Sequence, residues 1–126
     1  MSATQLRQYI DMVNNEWESA QLYEMARVGP QRHGIDNVII WVGEAPKNHG
    51  LRVKVSNIPN KMRMEDSFTI MMPSLDYDPT QVADWITPKI MKKILNWIVL
   101  NQELLYNYEN GKISDTDTFM DQISKV

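Results

Sequence analysis

Histidine is the side chain most often used for catalysis and metal binding near neutral pH, and this chain contains two, His33 and His49. A zinc site needs three or four ligands, and neither histidine has a second histidine or a cysteine at ligand spacing. A histidine acting as a general base needs a positioned partner, which nothing in the sequence supplies. Both lie in Gly- and Asn-containing loops, where histidines are usually solvated. We therefore predict no catalytic residue, no metal site and no enzymatic activity, with an enzyme built on His33 or His49 as the third alternative function.

Two acidic pairs resemble fragments of calcium-binding loops: Asp76 with Asp78, and Asp115 with Asp117. Neither fragment continues with the Gly and Glu that an EF-hand loop requires at its sixth and twelfth positions. Helix capping by Asp78 and Asp115 is the better interpretation. The glycines form neither a dinucleotide-binding pattern nor a P-loop, so we predict no cofactor.

Residues 45–64, the basic segment, differ in charge from the rest of the chain. They contain five basic and no acidic side chains, whereas residues 1–44 contain three basic and six acidic ones, and residues 65–126 five and ten. Alternation along Leu51–Ser56 places Arg52 and Lys54 on one face of a half-buried strand, which we expect to be solvent-exposed. The predicted contact surface consists of Trp41, Lys47, His49, Arg52, Lys54, Lys61, Met62, Arg63 and Met64.

This surface has two candidate ligands and one interpretation without a ligand. Arg52 and Lys54 beside Trp41 can hold a phosphate backbone and stack a base, which predicts single-stranded nucleic-acid binding. The net charge of −3 and the pI of about 5.3 weaken phosphate contacts. Met62 and Met64 lie in a polar loop, and methionine is frequent in adaptable interfaces, which predicts protein binding or self-association. Without a ligand, Arg52 and Lys54 are the solvated face of an edge strand, or they pair with the acidic helices.

The first half of the chain shows one helical pattern and two of the three predicted strands. Apolar residues at three- and four-residue steps predict a helix over about residues 4–26. Strands are predicted over residues 38–42, 51–56 and 67–72 from β-branched runs and period-two alternation. Their short links favour an antiparallel meander.

Helices dominate the second half. Thr87 opens a long helix predicted over residues 88–110, and Gly111 ends it. Ser114 or Asp115 caps a short final helix. Because helices and strands are segregated, the sequence predicts an α+β fold. We expect a three-stranded antiparallel sheet packed by the N-terminal helix and the long C-terminal helix.

Length and composition limit the classes of protein to which this chain can belong. A length of 126 residues predicts a single domain over residues 1–126, and a hydrophobic fraction of 43% is enough for a packed core. The chain has no cysteine, which excludes disulfides and fits a reducing compartment. No apolar stretch is long enough for a membrane span, and no secretory signal is visible. We expect a cytoplasmic protein, or one in the host cytoplasm if it is viral.

Three segments carry a resemblance to other proteins: Ile40–Glu44, His49–Asn57 and Leu104–Gly111. The stretch from Ile39 to Asn110 resembles a group of small uncharacterised proteins from bacteria and phage genomes, in which a small sheet precedes a long helix ending in aromatic and acidic residues. The resemblance implies a small auxiliary or host-interaction protein, with a phage as one source. The expected function is a non-enzymatic protein-binding module, regulatory or assembly-related, that uses the outer sheet face and adjoining loops. Nucleic-acid binding by residues 45–64 is the alternative.

Overall fold

The structure is a computed structural model that describes residues 2–19, 25–43, 51–113 and 115–126, with side chains for all of these except 12–19, 25 and 64. The described helices are α1 (Ala3–Ser19), α2 (Pro30–His33), α3 (Pro88–Leu100), α4 (Gln102–Glu109) and α5 (Thr116–Gln122). The described strands are β1 (Met25–Val28), β2 (Ile40–Gly43), β3 (Arg52–Ser56) and β4 (Ser67–Met71). These strands pair antiparallel in the order β1-β2-β3-β4, which confirms the α+β class and the predicted meander.

The sheet gains a strand that the sequence did not predict. β1 begins inside the helix predicted over residues 4–26 and continues to Val28, while α1 ends at Ser19. Ala26 and Val28 are buried on one face of β1 and Arg27 is exposed on the other, so the strand alternates with period two. The predicted three-stranded sheet is therefore wrong for the described residues. Four residues are too few to establish a period by themselves, and pairing with β2 decides their conformation.

One face of the sheet, the core face, is apolar at every described register position. Cross-strand rows such as Val42, Val53 and Ile70 run across β2, β3 and β4. α3, α4 and α5 contribute the other half of this core. Its largest buried side chains are Trp97, Tyr108, Phe68 and Phe119. The Tyr108 and Phe119 rings stack with centroids 4.3 Å apart, which joins α4 to α5.

The long helix predicted over residues 88–110 is interrupted at Asn101, whose ψ of 16° departs from helical geometry. Asn101 takes part in the last hydrogen bond of α3 and the first of α4: its N–H donates to the Trp97 carbonyl (3.1 Å), and its carbonyl accepts from the Leu105 N–H (2.9 Å). The buried Asn101 side chain exchanges two hydrogen bonds with the Ser124 backbone, of 2.8 and 3.0 Å. The break therefore coincides with docking of the segment after α5.

The helix-capping interpretations are confirmed. Asp78, Thr87 and Asp115 each accept a hydrogen bond from a backbone N–H two or three residues further on. Gly111 follows α4 with φ of 74°, a left-handed conformation that glycine adopts without steric cost. Among the described helices, none combines the length and the apolar character that crossing a bilayer requires.

Replacing Asn101 with Ala should lower the free energy of unfolding by about 2 kcal/mol, because the Ser124 backbone loses its two side-chain partners. Urea denaturation measures this change. Asn96→Ala makes the same substitution at an exposed position of α3 and should change stability by less than about 0.5 kcal/mol. Equal effects of the two substitutions would contradict the role assigned to Asn101.

Candidate functional site

Arg52 and Lys54, the centre of the predicted contact surface, are buried. Their side chains are 0% and 1% exposed, so the expectation that they face solvent is wrong. The alternation itself is correct, because Val53 and Val55 occupy the core face and the two cations occupy the opposite face, here called the second face. The prediction was wrong because it assumed that the second face is exposed to water, whereas these side chains on it are buried.

The neighbours of β3 account for part of this burial. β3 is an interior strand between β2 and β4, so the edge-strand interpretation is also wrong. Lys54 lies between Trp41 and Thr69 in the register, and Arg52 lies opposite Met71. Thr69 and Met71 are buried as well. Alternation shows that side chains point to two faces, but it does not show whether the second face meets water or protein.

Glu109, at the C-terminal end of α4, contributes negative charge near Arg52. A buried cation is costly unless an opposite charge or hydrogen bonds compensate it. Burial raises the pKa of the Glu109 carboxyl, and the positive charge of Arg52 partly offsets this rise by favouring the carboxylate. Arg52 therefore has an electrostatic partner inside the molecule, and a ligand would have to compete with it.

The basic loop, Ile58–Arg63, keeps part of the predicted positive surface. Lys61 and Arg63 are exposed, and Met62 is half-buried. The exposed Arg27 of β1 joins them, because its Nη2 donates a hydrogen bond to the Asn60 carbonyl at 3.3 Å. The sequence missed Arg27 because it lies just after the helix predicted over residues 4–26 and was assigned to no strand.

Trp41 is half-buried on the second face, between Arg27 and Lys54 in the register. Its indole N–H is buried and has no hydrogen-bond partner among the described residues. Only part of the ring is therefore open to a stacking base. Lys47, His49 and the Met64 side chain lie outside the described residues.

His33 is fully buried at the end of α2, which contradicts the expectation of a solvated loop histidine. The Ile35 N–H donates to His33 Nδ1 at 2.9 Å, so the proton of the neutral ring lies on Nε2, which is 2.8 Å from the Val38 carbonyl and donates to it. Burial lowers the pKa of the imidazole, and the Val38 hydrogen bond opposes this only in part. With both ring nitrogens engaged, His33 stabilises the turn before β2 and has no free nitrogen for catalysis.

A groove of about 380 Å³ beside α3 is the site that sequence reasoning missed. Met91 and Leu95 of α3 form one wall, and Tyr77, Val82 and Ile86 form the other. Met91 and Ile86 are buried, while Leu95, Tyr77 and Val82 are half-buried and form the accessible apolar lining. We refer to it as the α3 groove.

Two exposed aliphatic side chains, Val99 and Leu100, lie one helical turn beyond this groove. They are 54% and 55% exposed, and with Val126 they are the exposed large aliphatic residues among the described side chains. Residues 97–100 are consecutively apolar, and four successive helical residues point around the whole circumference. Packing one face of α3 on the sheet must therefore leave some of them outside, and this was the signal available in the sequence.

Scans against protein-family models, curated proteins and solved structures found no match for this chain. Among the described residues, no group of three or more histidine or acidic side chains is placed to hold a metal ion. The site is therefore argued from its own geometry: an apolar groove and two exposed aliphatic side chains on the outer side of α3.

His33 should make the protein less stable in acid. Because its pKa is lower in the folded chain, the unfolded chain binds more protons below about pH 6.5, and stability falls as the pH drops from there toward the folded-state pKa. The slope has an upper limit of about 1.4 kcal/mol per pH unit for one proton. Urea denaturation at several pH values, in a His49→Gln background, measures this effect.

The control is His33→Gln in the same background, which removes the titrating ring. Its free energy of unfolding should fall less than that of the parent between pH 7 and pH 5.5, even if it is lower overall. Identical pH slopes, or an imidazole pKa at or above the ordinary value by NMR titration, would contradict the assignment.

Proposed function

We propose that this protein is a non-enzymatic binding module that holds another protein chain along the outer side of α3. The observation that carries the proposal is the half-exposed pair Val99 and Leu100 beside the apolar α3 groove. Exposed aliphatic side chains next to a preformed groove are typical of protein contact surfaces. A regulatory, host-interaction or assembly role, in a phage or elsewhere, stays a prediction from the resemblance.

The chemistry of the groove favours a partner with apolar side chains at helical or extended spacing. Its lining is apolar, and Lys92 and Asn96 are exposed at its edge. A helix laid into such a groove is a recurring mode of peptide recognition. Covering the remaining exposed area of Val99 and Leu100 should stabilise a complex by about 2 kcal/mol, since full burial of one such side chain contributes about 1.5–3 kcal/mol.

This location replaces the outer sheet face that the sequence favoured. Arg52 and Lys54 are buried there, so a partner cannot reach them without displacing whatever covers them. Both ring nitrogens of His33 are hydrogen-bonded to the backbone, which supports binding over catalysis. The groove is the better candidate because its walls are accessible in the folded chain.

Val99→Glu and Leu100→Glu should each weaken capture of the natural partner from cell lysate about tenfold, because a charge at the contact must be desolvated. Val126→Glu is the matched control, since Val126 is also an exposed aliphatic residue but does not line the α3 groove. The measurement is quantitative pull-down against immobilised protein. A partner retained equally by all three variants would place the contact elsewhere.

A second candidate function is binding of single-stranded nucleic acid by the basic loop. The observation that favours it is the exposed trio Arg27, Lys61 and Arg63, with Arg27 hydrogen-bonded to the loop carbonyl of Asn60. Three cations are enough for a weak phosphate contact. The overall acidity of the chain and the burial of Arg52 oppose it.

A salt titration tests this second candidate. With three phosphate contacts, the logarithm of the association constant should fall with a slope of about −2 against the logarithm of salt concentration. Fluorescence anisotropy with a labelled oligonucleotide measures the slope, and Lys61→Glu should make it shallower while Lys112→Glu should not. No detectable affinity at low salt would end this proposal.

A further inference from the structure

We infer that the partner held along the outer side of α3 is an acidic amphipathic segment of another protein. Its aliphatic side chains lie in the α3 groove, and its carboxylates face the lysines of α3. This inference rests on the proposed function and gives the partner its chemistry. Two features support it: a cluster of positive charge on α3 that has no ion-pair partner in the described part of the chain, and the position of this charge beside the apolar groove.

The first two turns of α3 carry three exposed cations, Lys89, Lys92 and Lys93, here called the α3 lysines. The sequence contains no acidic residue between Asp84 and Glu103, so no carboxylate within α3 compensates them. Among the described residues, no ion pair involves α3. The α3 lysines are therefore available to the carboxylates of a partner.

This positive charge lies at the unfavourable end of the helix. The N-terminus of an α-helix carries a partial positive charge, so acidic side chains stabilise its first turns and cations destabilise them. α3 has no acidic residue in its first turn and no basic residue in its last turn. The α3 lysines therefore do not stabilise α3, and together with the helix dipole they concentrate positive potential at its N-terminal half.

Helical spacing places one of these lysines and one exposed aliphatic residue on the flank of α3 that forms the groove. Lys92 lines the groove, Leu95 follows three residues later, and Val99 follows four residues after Leu95, which is the spacing of neighbours on one helical face. Leu95 is half-buried, and Val99 is exposed. An apolar lining and a positive edge therefore lie side by side along this flank.

Lys89 and Lys93 lie on the neighbouring flank of α3, where they line a second depression of about 320 Å³ together with Asp36. Asp36 forms no ion pair with either lysine in the described part of the chain. One helical turn separates the two lysines, about 6 Å along the axis, and the Debye length at physiological salt is about 8 Å. The α3 lysines therefore act on an approaching segment as one positive field, although the whole chain has a net charge of −3.

A protein segment satisfies both the groove and the positive charge, whereas other polyanions satisfy only one of them. A nucleic acid supplies phosphates but no aliphatic side chain for the groove. A lipid bilayer presents a flat interface, which does not follow a groove between two elements. A helix with aliphatic side chains at three- and four-residue steps, and Asp or Glu beside them, fills the apolar lining and pairs with the lysines. Opposite charge at the groove edge also speeds association and excludes basic partners.

Selection of peptides from a display library tests the inference without knowledge of the natural partner. The library contains random segments of about 16 residues, which span about 24 Å as a helix. Peptides selected by the wild type should be enriched in Asp and Glu and in large aliphatic residues, relative to the unselected library. The triple variant Lys89→Glu, Lys92→Glu and Lys93→Glu should keep the aliphatic enrichment and select Lys and Arg in place of Asp and Glu. This variant should stay folded, because acidic side chains are favourable near a helix N-terminus.

Fluorescence anisotropy then measures the affinity of the most enriched peptide. Lys92→Glu should raise the dissociation constant about tenfold, because attraction at the groove edge becomes repulsion. Lys112→Glu makes the same charge change at an exposed position after α4 and should alter the constant by less than about twofold. Val99→Ser should raise it about fivefold, because it removes an aliphatic contact without changing charge. Affinity for the wild type should fall as the salt concentration rises.

Selected peptides without acidic enrichment, or with the same enrichment against the triple variant, overturn the inference. If the binding of such peptides still depends on Val99, the proposed function survives and only the charge of the partner is wrong. Peptides whose binding changes with neither Val99→Ser nor Lys92→Glu contradict both the inference and the proposed function. Binding of a labelled oligonucleotide or of phosphatidylserine vesicles that depends on the α3 lysines, with no acidic peptide selected, assigns these lysines to a phosphate ligand and also overturns the inference.

Discussion

The aliphatic core face of the sheet has to be removed from water, and α3, α4 and α5 are the described elements that cover it. Burial of apolar area stabilises a fold by roughly 25 cal/mol per Å². Trp97 and Tyr108 bring the largest apolar areas from the helices and are fully buried. This packing commits the inner side of α3 to the sheet. It also sets which side of α3 remains for a partner, because a helix packed on one side can present only its opposite side.

The second face of the sheet shows that a count of charges along the chain is not a map of surface charge. The basic segment has no acidic residue, yet two of its five cations, Arg52 and Lys54, lie inside the molecule. Glu109 supplies part of the compensation for Arg52 from a different element. The positive charge that a ligand can reach among the described residues of this region comes from Lys61 and Arg63, joined by Arg27 from β1.

The outer side of α3 shows the opposite case, because apolar side chains are exposed there. The run of apolar residues in α3 is longer than one buried helix face can cover. Val99 and Leu100 therefore stay exposed to water, which is unfavourable for solubility. The adjoining groove between α3 and the 77–86 segment is apolar for the same reason, since the packing that buries Met91 and Ile86 leaves Leu95 and Val82 half-covered.

Sequence alone determined the features that depend on neighbours within a few residues. β2, β3 and β4 were predicted within one or two residues of their ends, and the caps at Asp78, Thr87 and Asp115 were identified correctly, because alternation and capping are local interactions. Only the tertiary structure decided that residues 25–28 form a strand, since those four residues gain their hydrogen bonds from β2.

The features of the candidate sites depend on tertiary contacts rather than on near neighbours in the sequence. The burial of Arg52 and Lys54, the internal hydrogen bonds of His33 and the break at Asn101 all depend on groups brought together by the fold. The α3 groove likewise joins residues 77–86 to a helix that begins at Pro88 and runs back beside them. Periodicity assigns each side chain to a face of its own element, but whether that face meets water, protein or a groove is a property of what packs against it.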